Sequence, residues 1–296
     1  MFKKTKRIAK EDIVFSIVNY AILTLFLLII LYPLYYMFIA SFSDPNATNQ
    51  GLVIWKPVNI TFEGYQRILE DELIWSGYRN ALFYTLAGTA VNLFCTIPAA
   101  FALSRRELPG RNALMYMITF TMFFSGGMIP TYIVVQKLNL LNTPLSLILP
   151  TAVVAYYLII ARTFFQNTIP EELLEVSFID GADYFTYFFK IVLPLSKPIL
   201  AVMILFHFVN HWNSYFQAML YIRDEALYPL QLVLRNILVE SEAAVAEDAF
   251  AIAEKQRITE LVKYGVVMVA SIPVMIVYPF VQKYFVQGVM IGAVKG

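Results

Sequence analysis

Charge is scarce in this chain: Asp, Glu, Lys and Arg make up 15% of its 296 residues, against 59% hydrophobic residues. Ordinary soluble domains carry about 25% charged residues, so this balance excludes that class. Cysteine occurs once, as Cys95, which excludes an intrachain disulfide. The two histidines, His207 and His211, stand four apart. That spacing suits a metal pair on a helix, but the His-Glu-x-x-His pattern needs a glutamate where Phe208 stands, and no metal site is expected. Neither a P-loop glycine pattern nor a Gly-x-Ser-x-Gly elbow occurs, so neither ATP binding of that kind nor a serine hydrolase is expected. The chain reads as a non-enzyme. A net charge of +1, with no basic, aromatic-interleaved patch, gives no ground for nucleic-acid binding.

What is there is long apolar sequence. Six uncharged windows lie at 13–43, 80–104, 112–136, 138–161, 198–222 and 264–282, each long enough to cross roughly 30 Å of hydrocarbon as helix. The chain therefore reads as an all-α membrane protein with six transmembrane helices. Residues 1–12 form a tail, 13–287 the six-helix domain and 288–296 a second tail. The basic start before the first run resembles a signal peptide, but the run is too long for one and is expected to remain as a span. Lys3, Lys4, Lys6, Arg7 and Lys10 crowd the N-terminus, and Arg105, Arg106 and Arg111 fill the second loop. Basic residues beside spans stay cytoplasmic, which puts both termini and the loop at 166–198 inside. The long fifth loop, about 222–262, carries both signs of charge, and there the rule weakens.

Punctuation marks the candidate functional segments. In span three, Gly126, Gly127 and Pro130 interrupt the backbone ladder, which membrane helices tolerate only where protein or a water-filled cavity satisfies the freed groups. A packing kink and a gate are both open there. In the 166–198 loop, Thr168, Pro170 and Glu171 match a capping box, predicting a helix over about 169–180 that stops at Gly181. A second helix over about 183–193 is expected to stop at Pro194. This layout would project Glu175 and the Val176–Ser177 surface as a knob, or lay an ordinary helix on the bilayer. In span five, His207, Asn210, Asn213, Ser214 and Gln217 fall within a 120° arc at 100° per residue, with Trp212 and Tyr215 beside them. Polar groups in a span face the bundle interior or a cavity. A path for a polar solute and interhelical adhesion both fit.

The pattern Glu175, Gly181, Ile191, Leu193 and Pro194 resembles the EAA loop of importer-type ABC permeases, with Val176 and Ser177 in place of the usual two alanines. Ser41–Asn46, Phe124–Pro130, His211–Ser214 and Gly292–Gly296 extend the resemblance over nearly the whole chain. It is similar to the maltose-type (MalG-like) carbohydrate permease family, in a branch linked to complex or pectin-type oligosaccharides. The resemblance implies a type I ABC importer permease fold in a bacterial plasma membrane, translocating oligosaccharides. Glu175, Val176, Ser177, Asp180, Gly181, Ile191, Leu193 and Pro194 would couple to an ATPase, which Gly292, Lys295 and Gly296 would also touch. The implied partners are a second homologous permease, two cytoplasmic ATPase subunits that bind ATP and Mg, and an extracellular solute-binding protein. This chain itself would carry no cofactor. The reading from another class is a stand-alone channel or secondary transporter for a small polar solute.

Overall fold

The computed structural model describes residues 10–243, 257, 262–280 and 282, and no strand occurs among them. Their helices are α1 (Lys10–Ala40), α2 (Pro45–Asn49), α3 (Glu63–Glu70), α4 (Glu72–Ser104), α5 (Arg111–Phe123), α6 (Met128–Lys137), α7 (Leu145–Ile148), α8 (Ala155–Thr168), α9 (Glu172–Ile179), α10 (Tyr184–Tyr187), α11 (Leu193–Leu195), α12 (Lys197–Trp212), α13 (Tyr215–Tyr221) and α14 (Leu230–Ala243). The last, α15, spans Val262–Phe280. The described residues of Met1–Glu70 and Glu240–Val269 form one compact unit, and those of Asp71–Val239 and Ala270–Gly296 form another.

Among the described residues, three helices are long and apolar enough to cross a membrane singly, and up to six spans result if each of three bent pairs counts as one. In the first unit, α1 is apolar on every side, and none of its most apolar window is buried. That all-round pattern belongs to a helix solvated by lipid or covered by another chain. In the same unit Glu63 receives both terminal nitrogens of Arg257, at 3.2 and 3.1 Å, and Arg67 at 3.3 Å. The bonds from Arg257 hold the Glu63 carboxyl below its usual range. As a depressed carboxylate, it adds stability above its unfolded pKa that is lost as pH falls through the folded value.

In the second unit α4 is the mast. Asp71 caps it, accepting from Leu73 N at 2.8 Å, and α8 and α12 pack along it. Its buried stripe is polar: Thr85, Thr89, Asn92 and Thr96 stand four, three and four residues apart, which keeps them on one helical face. The fourth span differs from its window. Residues 138–144 are a turn with Asn139 and Asn142 at positive φ, and the helical run covers Leu145–Thr151 and Ala155–Thr168 with a 50° bend. It passes through Arg162, whose charge does not end it because Nε donates to Leu103 O at 2.9 Å. Asn142 tolerates the left-handed backbone, and its Oδ1 accepts from Arg223 N and Asp224 N, both at 2.9 Å. Asn80 and Tyr84 hold the next carbonyls, at Ala226, Tyr228 and Leu227. The 223–228 connection is thereby fixed to α4 and to the 138–144 turn.

Candidate functional site

The loop expected at 166–198, which the structure bounds as residues 169–196 between α8 and α12, is built differently from its sequence expectation. Thr168 ends α8, so the capping box does not form; α9 starts at Glu172, and Glu171 makes no side-chain cap. Continuation of α8 spends Thr168 inside a helix, and Glu171 instead pairs with Arg106 Nε at 3.0 Å, both side chains largely exposed. The stop at Gly181 is as expected. Its φ is +79°, its N–H donates to Phe178 O at 3.0 Å, and Ala182 N–H donates to Ser177 O at 2.9 Å. These are the two bonds of a Schellman motif. Asp183 then caps the return helix through Thr186 N at 2.8 Å. Hydrogen bonds from Thr186, with Lys190 nearby, hold its carboxyl below the usual range.

The return helix does not stop at Pro194. It runs from Tyr184 to Leu195 with a wide, π-type turn over Phe188–Val192. A proline removes one N–H and presses on the carbonyl four residues back; the widened turn just before it relieves that clash. Glu175, Val176 and Asp180 are exposed. Ser177 is not part of the projected surface: it is buried, and its Oγ donates to Leu174 O at 2.7 Å. Ile191 and Leu193 are half-buried and Pro194 is exposed. The sequence reading missed Ile179, 84% exposed, and Phe185 and Phe189, also exposed. Large apolar side chains bared at a loop were the available signal.

Span three breaks where its glycines are. Helices α5 and α6 meet at 115°, and Gly127 takes φ +84°, ψ −178°, a region essentially closed to other residues. Pro130 stands in the first turn of α6, where its missing N–H is harmless. The 13-residue α5 reaches only about 20 Å, short of a full crossing.

The single polar face expected of span five is also broken. Helix α12 ends at Trp212 and α13 starts at Tyr215. Asn213 Nδ2 donates to Val209 O at 2.9 Å, and Ser214 Oγ donates to His211 O at 2.7 Å. These two side chains finish a helix end. His207 is fully buried, edge-on to Tyr157 at 5.0 Å. Trp212 is 2% exposed, and its Nε1 donates to Ala270 O at 3.0 Å. Asn210 and Tyr215 are exposed and Gln217 is half-buried. Trp212→Phe is expected to lower stability by roughly 1–3 kcal/mol, from the lost hydrogen bond and the space left by the smaller ring, without changing KM for the solute. A raised KM in a fully assembled variant would return Trp212 to the solute path.

His211 is the organising residue of this region. Its Nε2 lies 2.6 Å from Asn92 Oδ1, and Asn92 Nδ2 donates to Thr151 O. Because that carbonyl only accepts, the amide orientation is set, and His211 Nε2 must be the donor. A Cβ on Gly88 would lie 2.4 to 2.7 Å from the same ring. Gly88 and Asn92 were missed because the window at 80–104 reads as uniformly uncharged; the 85, 89, 92, 96 spacing was the signal. Gly292, Lys295 and Gly296 lie outside the described residues.

Comparison with known proteins joins these parts. Residues 73–291 match the family model described as binding-protein-dependent transport system inner membrane component. The chain is 41% identical over 282 residues to the polygalacturonan/rhamnogalacturonan transport system permease protein YtcP of Bacillus subtilis (strain 168), covering 95% of this chain and 98% of that one. It is 41% identical over 267 residues to Protein LplC of the same organism, covering 89% of each. A solved bacterial ABC transporter involved in the import of the acidic polysaccharide alginate superposes with a TM-score of 0.83 at 37% identity, covering 94% of this chain and 98% of that one.

Proposed function

The chain belongs to the family of inner membrane components of binding-protein-dependent transport systems, and from that premise we propose that it carries acidic, uronate-containing oligosaccharides, driven by ATPase subunits that grip its 169–196 loop. It is a multi-pass, non-catalytic permease subunit of an ABC importer. A stand-alone channel does not fit membership of a family of transport-system components. The partners are a second homologous permease, two ATPase subunits that bind ATP and Mg, and an external solute-binding protein. Both tails, the 105–110 turn and the 169–196 loop face those ATPases in the cytoplasm, as the basic residues favour.

The observation that carries this reading is the exposed knob of α9. Glu175 stands there beside Val176 and Ile179, which are bared to water, and Gly181 ends the helix sharply. An apolar tip flanked by the exposed carboxylates of Glu172, Glu175 and Asp180 suits a pocket with an apolar floor and a cationic rim. Val176 in the place of an alanine makes the tip bulkier. Gly292, Lys295 and Gly296 make a second contact with the ATPases. The 124–127 break serves as gate or cavity wall, and Asn210, Tyr215 and Gln217 supply neutral hydrogen-bonding groups and a ring to the solute path. The nature of the cargo rests on the relatives named for polygalacturonan and for alginate, both polymers of uronates.

The test of the cargo uses the complete importer in proteoliposomes with its own binding protein. Oligogalacturonides are expected to stimulate ATP hydrolysis at least about tenfold more effectively than neutral oligosaccharides of equal length, a discrimination of ~1.4 kcal/mol. Equal stimulation by both would refute an acidic cargo.

A further inference from the structure

One ring on α4 receives the return arm of the 169–196 loop. Phe101 lies 4.9 Å from Phe188 and 6.1 Å from Tyr187, both on that arm, and 6.0 Å from Phe165 of α8. All four side chains are buried. A cation also meets the Phe101 ring: the guanidinium of Arg105 lies 5.1 Å from its centroid.

Arg105 is 7% exposed, and none of the ion pairs among the described residues includes it. Buried guanidinium without a carboxylate is held here in other ways. Its Nε donates to Ser104 Oγ at 3.1 Å, its charge faces the quadrupole of Phe101, and it stands at the C-terminus of α4, the negative end of the helix dipole. Burial pushes the Tyr187 hydroxyl up, and the nearby Arg105 charge partly offsets that. The end of α4 is itself braced. Arg162 donates to Leu103 O, Gln166 to Ser104 O at 3.5 Å, and Arg111 to Arg105 O at 3.3 Å. The exposed Arg106–Glu171 pair is screened by water and salt and adds little to this joint.

We infer that Phe101 and Arg105 form the strut through which displacement of the 172–195 helix pair is delivered to α4, with Arg105 as a positioning residue for energy coupling. The route is contiguous. Tyr187 and Phe188 press on Phe101, Arg105 locks that ring to the braced end of α4, and α4 holds α12 through Asn92 and His211. A close-packed joint transmits displacement because its interior has little room to yield. This inference rests on the proposal that the ATPases grip the 169–196 loop.

The test measures solute imported per ATP hydrolysed, with assembly monitored, in the reconstituted importer. Arg105→Ala is expected to assemble, to keep its ATPase activity and to lose roughly five- to tenfold of the import-to-hydrolysis ratio. Arg105→Lys, which keeps a cation over the ring, is expected to retain most of it. A residue of purely structural importance would lower assembly and leave the ratio unchanged. Should Arg105→Ala fail to assemble, Arg105→Gln, which keeps side-chain length without charge, is judged by the same outcomes. Glu175→Lys separates the two ideas. If it uncouples while the Arg105 variants keep the wild-type ratio, the strut is wrong and the grip on the loop stands. If Glu175→Lys also keeps the wild-type ratio, the grip itself is wrong and the strut falls with it.

Discussion

Gly88→Ala is expected to destabilise the permease by roughly 2–5 kcal/mol, from overpacking together with loss of a buried hydrogen bond. The added methyl would stand 2.4 Å from His211 Nε2, well inside the van der Waals distance of a carbon and a nitrogen. The ring must therefore leave Asn92, whose Oδ1 it meets at 2.6 Å. Asn92 would then keep only its bond to Thr151 O, with a buried acceptor unpaired. Thermal unfolding of the purified complex checks the size of the loss, and a double-mutant cycle checks the cause. In a His211→Ala background the ring is gone, and Gly88→Ala should cost less than about 1 kcal/mol, a strong non-additivity between touching residues. An equal loss in both backgrounds would mean that the ring contact is not the reason for the glycine.

The second large effect is functional. Gly181→Pro should leave the protein inserted while ATP hydrolysis proceeds without uptake. Proline holds φ near −65°, whereas position 181 needs +79°, and it removes the N–H that donates to Phe178 O. The end of α9 and the start of α10 must then part from their present arrangement. Gly181→Ala makes a graded control. A Cβ there meets nothing within 4 Å, so only the left-handed strain of about 1–2 kcal/mol remains, and much of the coupling should survive. Glu175→Lys reverses the charge beside Val176 and Ile179 on the exposed knob and should uncouple without any backbone effect. Normal uptake and normal solute-stimulated ATPase activity in both Gly181→Pro and Glu175→Lys would remove the loop from the coupling path.

The legible parts of this protein were those governed by local chemistry. Spans came from uncharged length, because hydrocarbon penalises charge wherever it stands in a helix. The stop at Gly181 and the break at Gly127 came from glycines placed where other residues would sit under backbone strain. The capping box failed for a competing local reason: α8 ran on through Thr168, and a helix already in progress needs no new start. The polar face of span five failed at Asn213 and Ser214, whose short side chains bonded back to the backbone of α12. An arc drawn at 100° per residue assumes an unbroken helix.

What the sequence by itself determined is the all-helical membrane character, the number of apolar segments, the glycine-punctuated loop and, through its motifs, the family. Each follows from residue type and spacing along the chain. Only the tertiary structure decided that Trp212 is an interior anchor, that Ser177 is buried, and that Gly88 exists to admit the ring of His211. It alone set Arg105 over Phe101 and brought Tyr187 and Phe188 to the same ring. Those facts depend on contacts between residues up to 123 positions apart (Gly88 and His211), and close packing between helices has no signature in the order of residues along any one of them.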